Sequence, residues 1–374
     1  MSKYIFIIAF IVSSVFQGVS WVEFGIVDGG LWASQAQYVQ THDTREFNFL
    51  GAYGHPGGTI VEGTALIHDV FKIDYYNSLI TFLVIFDSII ISSICVLSYK
   101  LRKRHIWWII TLATLSLDRL YDSLTPASVV ATLLFVFLSL LTLYLYENEI
   151  TKKKIIIWSL IAGMLIATRI DIGCVSTVAF IVLLVQKLKW KDMLSVLTGI
   201  ILSFCIFDPF MWFMPIQHLR DLIFKITYHY SDIAATHMTF ISLLSFSSIA
   251  FISMILSIIL LILQKKKKVI APIPPAYTYT LLVLSGILYT VYLTAHEQTT
   301  RYFVPLVFIW EVFLPLFIFC LIPLVDFNFL KNKVQKNKGG KIGELFVALI
   351  LIAYPIIFFI NSLSIGFTFN LSKW

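Results

Sequence analysis

Charge is what this sequence has least of. Only 13% of its 374 residues are Asp, Glu, Lys or Arg, about half the share of an ordinary water-soluble domain, which excludes a soluble enzyme. Cysteine is scarce as well. Cys95, Cys174, Cys205 and Cys320 all fall inside apolar runs without CxxC or metal-ligand spacing, so they read as small core residues and no disulfide framework is implied. A Gly-rich nucleotide-binding loop and an alternating strand and helix pattern are both missing, which leaves a cytosolic nucleotide-sugar site unsupported. The basic residues form no stripe that could follow a phosphodiester backbone, so nucleic acid is not an expected partner.

What the chain has instead is apolar length. Hydrophobic residues make up 59% of it and aromatics 16%, and runs long enough to cross a bilayer recur from end to end. The pattern predicts an all-α integral membrane fold, a single polytopic bundle of about eleven spans at 4–20, 78–99, 105–117, 127–146, 155–168, 172–186, 193–207, 239–263, 276–294, 302–324 and 344–361. The runs at 105–117 and 155–168 are shorter than the roughly 17 residues a perpendicular helix needs, and a tilted or kinked helix would accommodate them. The first run follows Lys3 and lacks a small-x-small cleavage site, which reads as a retained signal anchor.

The basic clusters set the orientation, because Lys and Arg are enriched on the cytoplasmic side of membrane proteins. With the N-terminus inside, the clusters at 100–104, 152–154, 187–191, 265–268 and 331–341 all fall in inner loops. Together with Lys3 they hold 20 of the 28 basic residues, while 14 of the 21 acids fall in outer loops. The expected location is the plasma (inner) membrane, with the active face outside. Two outer loops, 21–77 and 208–238, are too long for turns, and polar residues kept at a membrane surface are where function concentrates.

The first of these loops opens with Glu23 and Asp28, then Gly29, Gly30 and a weakly amphipathic stretch from Leu31 to Thr41 that suits a helix lying in the headgroup plane. Asp28 has two readings on spacing alone, an N-cap or a catalytic base. His55 is held beside a tight turn by Pro56 and Gly57. Asp118 and Asp122 would share a helix face, with Arg119 offering a local ion pair. Glu62, His68 and Asp69 sit on a possible second surface helix and take a structural reading. Arg169 has Asp171 as a neutralising neighbour, and Arg301 stands where a guanidinium could bind a lipid phosphate or reach headgroups. Asp87 lies near the middle of its span and Glu311 inside another; each is either paired with a neighbouring helix or part of a proton-coupled transporter. Seven of the eight histidines, His42, His55, His68, His218, His229, His237 and His296, face outward without HxH or HxxxH spacing, so no metal or other cofactor is expected.

Several segments, taken in order, resemble the C-type glycosyltransferase superfamily, especially its protein mannosyltransferase and aminoarabinose transferase-like branch. They are a first outer loop with Asp28 just after the first span, the His55, Pro56 and Gly57 segment, and residues 123–127 ahead of a span. Ala162 and Gly163 followed by Ala167, Thr168 and Arg169, and Arg301, Tyr302 and Pro305 ahead of a late helix, complete the series. The mannosyltransferase branch carries adjacent Asp-Glu in its first loop; here Asp28 is followed by Gly29. No Asp-x-Asp occurs in the outer loops, so metal dependence is not expected.

The resemblance implies a membrane glycosyltransferase that takes a sugar from a polyprenyl-phosphate donor to a glycan, lipid or protein acceptor on the outer face. Asp28 would be the base and Arg301 the phosphate ligand, with Tyr302, His55, Asp118, Asp122 and Arg169 as substrate contacts. Two other readings stay open. One is a transporter or lipid flippase, although no paired halves with interrupted helices are found. The other is a polysaccharide polymerase or ligase, kept alive by Arg220, Lys225 and His229 in the 208–238 loop.

Overall fold

A computed structural model describes residues 1–23, 26, 29–41, 57–102, 105–117, 126–185, 187–213, 215–216 and 218–220, with Ile255, Ile258, Ile259 and Ile262 as isolated positions. The spans expected at 239–263, 276–294, 302–324 and 344–361 lie outside the described residues, those four isoleucines excepted. Among the described residues there is no strand. The elements are α1 (Ser2–Glu23), α2 (Gly29–Thr41), α3 (Gly58–Phe71), α4 (Tyr75–Arg102), α5 (His105–Leu117), α6 (Pro126–Glu147), α7 (Lys152–Thr168), α8 (Ile170–Val185), α9 (Trp190–Phe207) and the single turn α10 (Phe210–Phe213). All seven spans expected before residue 208 are helices, and two helices, α2 and α3, occupy the stretches of the first loop read as helical.

Four of the described helices are long and apolar enough to cross a membrane: Ser2–Val22, Tyr75–Leu101, Val129–Tyr146 and Trp190–Phe207. Their faces are arranged for lipid. On α1 the exposed side chains are Tyr4, Ile7, Ile8, Ile11, Val15, Val19 and Val22, while Ser13, Gln17 and Ser20 are buried. Polar side chains of membrane helices turn toward the bundle because lipid offers them no partner. An apolar outside over a polar inside is the reverse of a soluble amphipathic helix. The described chain is thus an all-helical bundle built for a membrane.

α6 is the central helix, packed against α4, α7 and α8. Trp158 of α7 donates to Thr142 Oγ1 of α6 at 2.7 Å, and Phe180 of α8 lies 6.0 Å from Phe135 of α6, ring to ring. α7 and α9 pair through small residues. A Cβ on Gly163 would lie 2.4 Å from Ser203 Cβ, and one on Gly199 2.8 Å from Ser159 Cβ. Ser203 also donates to Leu160 O at 2.7 Å. The pairings of 159 with 199 and 163 with 203 advance together, so α7 and α9 are parallel, joined by a small-xxx-small crossing that lets the backbones approach.

Parallel α7 and α9 both begin in lysines. At that end Lys100, after α4's long apolar run, and Lys154, at the start of α7, stand 5.8 Å and 5.2 Å from the Tyr144 ring centroid, and Lys187 stands 4.6 Å from that of Tyr146. Three of the sequence's basic clusters therefore gather at one end of the bundle. The opposite end is covered by α2 and α3, which pack on α4.

α4 has 28 residues, about 42 Å at 1.5 Å per residue, against a hydrocarbon core of about 30 Å. Trp21, in the last turn of α1, donates through Nε1 to Asp87 Oδ2 at 3.3 Å. α1 thus lies beside the second half of α4, and α2 and α3 cover the first half. Asp87, expected near the middle of a span, is level with the end of α1.

Candidate functional site

The end of the bundle away from the lysines holds the ionisable side chains that the described structure brings together. α3 starts there for a packing reason. Gly57 is its N-cap, with its carbonyl accepting from Ile60 and Val61 at 2.8 Å and 2.9 Å. A Cβ at Gly57 would lie 1.9 Å from the Trp32 ring of α2, and one at Gly58 would lie 2.5 Å from Phe207 O and 2.7 Å from Asp208 Cα. Two consecutive glycines let the start of α3 reach both α2 and the end of α9. Thr59 Oγ1 donates to Met164 O at 3.3 Å, tying the same turn to the last turns of α7.

α9 ends at Asp208 because Pro209 follows. Proline disfavours helical backbone in the residue before it, and Asp208 is extended, with φ −122° and ψ 91°. Asp208 Oδ1 accepts from the Phe210 amide at 3.2 Å, which starts the α10 turn. His218 Nε2 donates to Asp208 Oδ2 at 2.8 Å, and both side chains are fully buried. The His218 and Phe210 rings are 5.6 Å apart. With Nε2 bonded to Asp208, Nδ1 is buried without a hydrogen-bond partner among the described residues.

Glu62 lies one turn into α3, half-buried, and its Oε2 is buried and also without a partner among the described residues. Burial, and then the negative charge of Asp208, push its carboxyl up to about 7. Near neutral pH it therefore exchanges a proton, and in its neutral form it offers an O–H donor. The structural reading given to Glu62 from sequence is replaced by that of a perturbed acid beside a buried Asp–His pair. His68 and Asp69 keep their structural roles. His68 stacks on Tyr75 at 4.0 Å with Nδ1 2.6 Å from Ile73 O, and Asp69 makes an exposed 3.8 Å pair with Lys72.

Of the residues that the resemblance assigns to the reaction, Arg169 is described. It caps α7, its amide donating to Leu165 O at 2.8 Å, one turn beyond the Met164 carbonyl that Thr59 holds. Asp28, His55, Asp118, Asp122, Arg301 and Tyr302 lie outside the described residues. Asp208 and His218 were missed as a pair. The available signal was an acid between an apolar run and a proline, but a partner ten residues further on follows from no helical or strand period. Among the described residues, no group of three His, Cys, Asp or Glu side chains is placed to hold a metal ion. The chain matches no protein-family model, no curated protein and no solved structure.

Proposed function

We propose that this chain is a membrane glycosyltransferase that moves a sugar from a polyprenyl-phosphate donor to a glycan, lipid or protein acceptor at the outer face, within a bundle of about eleven helices. The acceptor hydroxyl attacks the sugar's anomeric carbon, the bond from that carbon to the phosphate oxygen breaks, and the electron pair leaves with the polyprenyl phosphate. Asp28 takes the hydroxyl proton as general base and Arg301 neutralises the leaving phosphate through a bidentate contact. Tyr302, His55, Asp118, Asp122 and Arg169 are assigned to substrate contact. No cofactor or metal takes part. The bundle sits in the plasma (inner) membrane with its N-terminus in the cytoplasm.

The order of the segments from Asp28 to Pro305 motivates this reading. One observation supports it above the others: two acids and a histidine, Glu62, Asp208 and His218, gather at the end opposite the lysines, where α3 packs against α2 and the end of α9. A reaction at the outer leaflet needs its proton-handling groups at that end and needs no soluble domain.

The transporter alternative has its own observation, the polar seam where Ser13, Gln17 and Ser20 of α1 are buried alongside Asp87, Ser88 and Ser92 of α4. Reconstituted vesicles separate the two readings, since a transferase moves label from lipid-linked sugar to acceptor without solute flux. Asp28→Asn is the decisive variant. Asn caps a helix about as well as Asp but cannot accept a proton at neutral pH. The variant is expected to fold, bind donor and lose roughly 10²-fold or more in turnover; transfer at the wild-type rate would remove Asp28 as base.

A further inference from the structure

We propose that Glu62, Asp208 and His218 form a subsite that binds the hydroxyl groups of a sugar. The proposal deepens the transferase reading and rests on it for the class of ligand.

Two buried atoms, His218 Nδ1 and Glu62 Oε2, have no hydrogen-bond partner among the described residues. An unpaired polar atom away from water is costly, and native structures pair nearly all of them. Both atoms belong to groups organised around Asp208. Its Oδ2 accepts from His218 Nε2, so in the neutral imidazole Nδ1 is the acceptor. Its charge acts on Glu62, which favours the protonated form and so a donor. Sugar hydroxyls supply both partners, an O–H donating to Nδ1 and a hydroxyl oxygen accepting from Glu62. A sugar presents several hydroxyls at fixed spacing and offers both functions to the pair.

The surroundings set no competing charge pair on Glu62. Among the elements packed on α3, helix α2 has no charged side chain. Helix α4 and the residues before it contribute Asp74, Tyr75, Tyr76 and Asp87, and α7 contributes Arg169. The stretch from the end of α9 contributes Asp208, His218 and Arg220, while α3 itself carries His68 and Asp69. Asp87 is engaged by Trp21, Asp74 by Asn77, and Asp69 by Lys72. Glu62 remains half-exposed, so a ligand reaches the group at this carboxyl.

The test uses the detergent-solubilised full chain at pH 6 and saturation-transfer NMR. The probes are methyl mannopyranoside, methyl galactopyranoside and methyl arabinopyranoside, with 2-methoxytetrahydropyran as a ring without hydroxyls. At least one glycoside is expected to bind and the hydroxyl-free ring is not. Glu62→Leu and His218→Phe should each weaken glycoside binding about tenfold, the effect of losing one hydrogen bond to a buried group, whereas Glu62→Gln, which keeps a neutral donor, should stay within about threefold. If His218→Phe does not fold, the contrast of Leu with Gln at position 62 carries the test.

No glycoside binding, equal binding of the hydroxyl-free ring, or equal binding by the Leu and Gln variants would overturn the subsite and leave a buried water as the occupant. A chain that binds glycosides through these residues but transfers no sugar from any lipid-linked donor keeps the subsite and loses the transferase reading.

Discussion

His218 and Asp208 meet at 2.8 Å with neither side chain exposed, and the pair joins the end of α9 to the stretch after α10. The pair holds a negative charge against the start of α3, and burial first and that charge second raise the Glu62 carboxyl.

Glu62 should therefore write its signature on stability. Its carboxyl is raised from 4.5 to about 7 in the folded chain, so the folded state holds a proton that the unfolded state has released. The associated stability is present below about pH 4.5 and is lost as pH rises to about 7. Discounted for its half-exposed position, the change is on the order of 1 to 2 kcal/mol. Apparent melting temperature between pH 4.5 and 8 should fall less steeply in Glu62→Gln than in wild type. Parallel curves would return Glu62 to an ordinary surface acid.

The α7–α9 crossing predicts a contrast between two glycines. Gly163→Ala puts a Cβ 2.4 Å from Ser203 Cβ and 2.7 Å from Ile200 O, and should destabilise by about 1 to 3 kcal/mol. Gly30→Ala in α2 meets nothing within 4 Å and should be neutral or stabilising by about 0.5 to 1 kcal/mol. Thermal unfolding in one detergent compares them, and similar losses for both would mean that the crossing is looser than described.

Orientation follows from the gathering of Lys100, Lys154 and Lys187 at one end. In a chain whose own four cysteines are replaced, Lys72→Cys should label from outside with an impermeant thiol reagent, and Thr151→Cys only after permeabilisation. Both side chains are exposed, so access is not the variable. Reversed labelling would invert the bundle and remove an outer-face reaction.

Arg301→Ala should weaken binding of a polyprenyl-phosphate sugar by about 1.5 to 3 kcal/mol, the worth of a charge-assisted contact. Arg301→Lys should restore part of it, since it keeps the charge and loses the fork. Donor affinity measured on the solubilised protein reads this directly, and an unchanged Ala variant would leave Arg301 reaching headgroups only.

The sequence by itself determined what depends on local apolar length and on charge. The run at 105–117 is helix α5 with those bounds, the two helical segments read in the first loop are α2 and α3, and three of the lysine clusters stand together at one end. A helix is closed by bonds four residues apart, so its existence is written in a short window. Bilayer partitioning then sorts apolar from basic segments without reference to distant contacts. The candidate site depends on neither. Asp208 and His218 are ten residues apart, Trp21 and Asp87 sixty-six, and Glu62 acquires its proton affinity from burial and then from an acid just past the end of α9. His68 shows the same limit from the other side, since only the Tyr75 ring and the Ile73 carbonyl make it structural. Such properties come from burial and from charges that the fold brings near one another, and a carboxyl or imidazole carries no local pattern that announces its future neighbour.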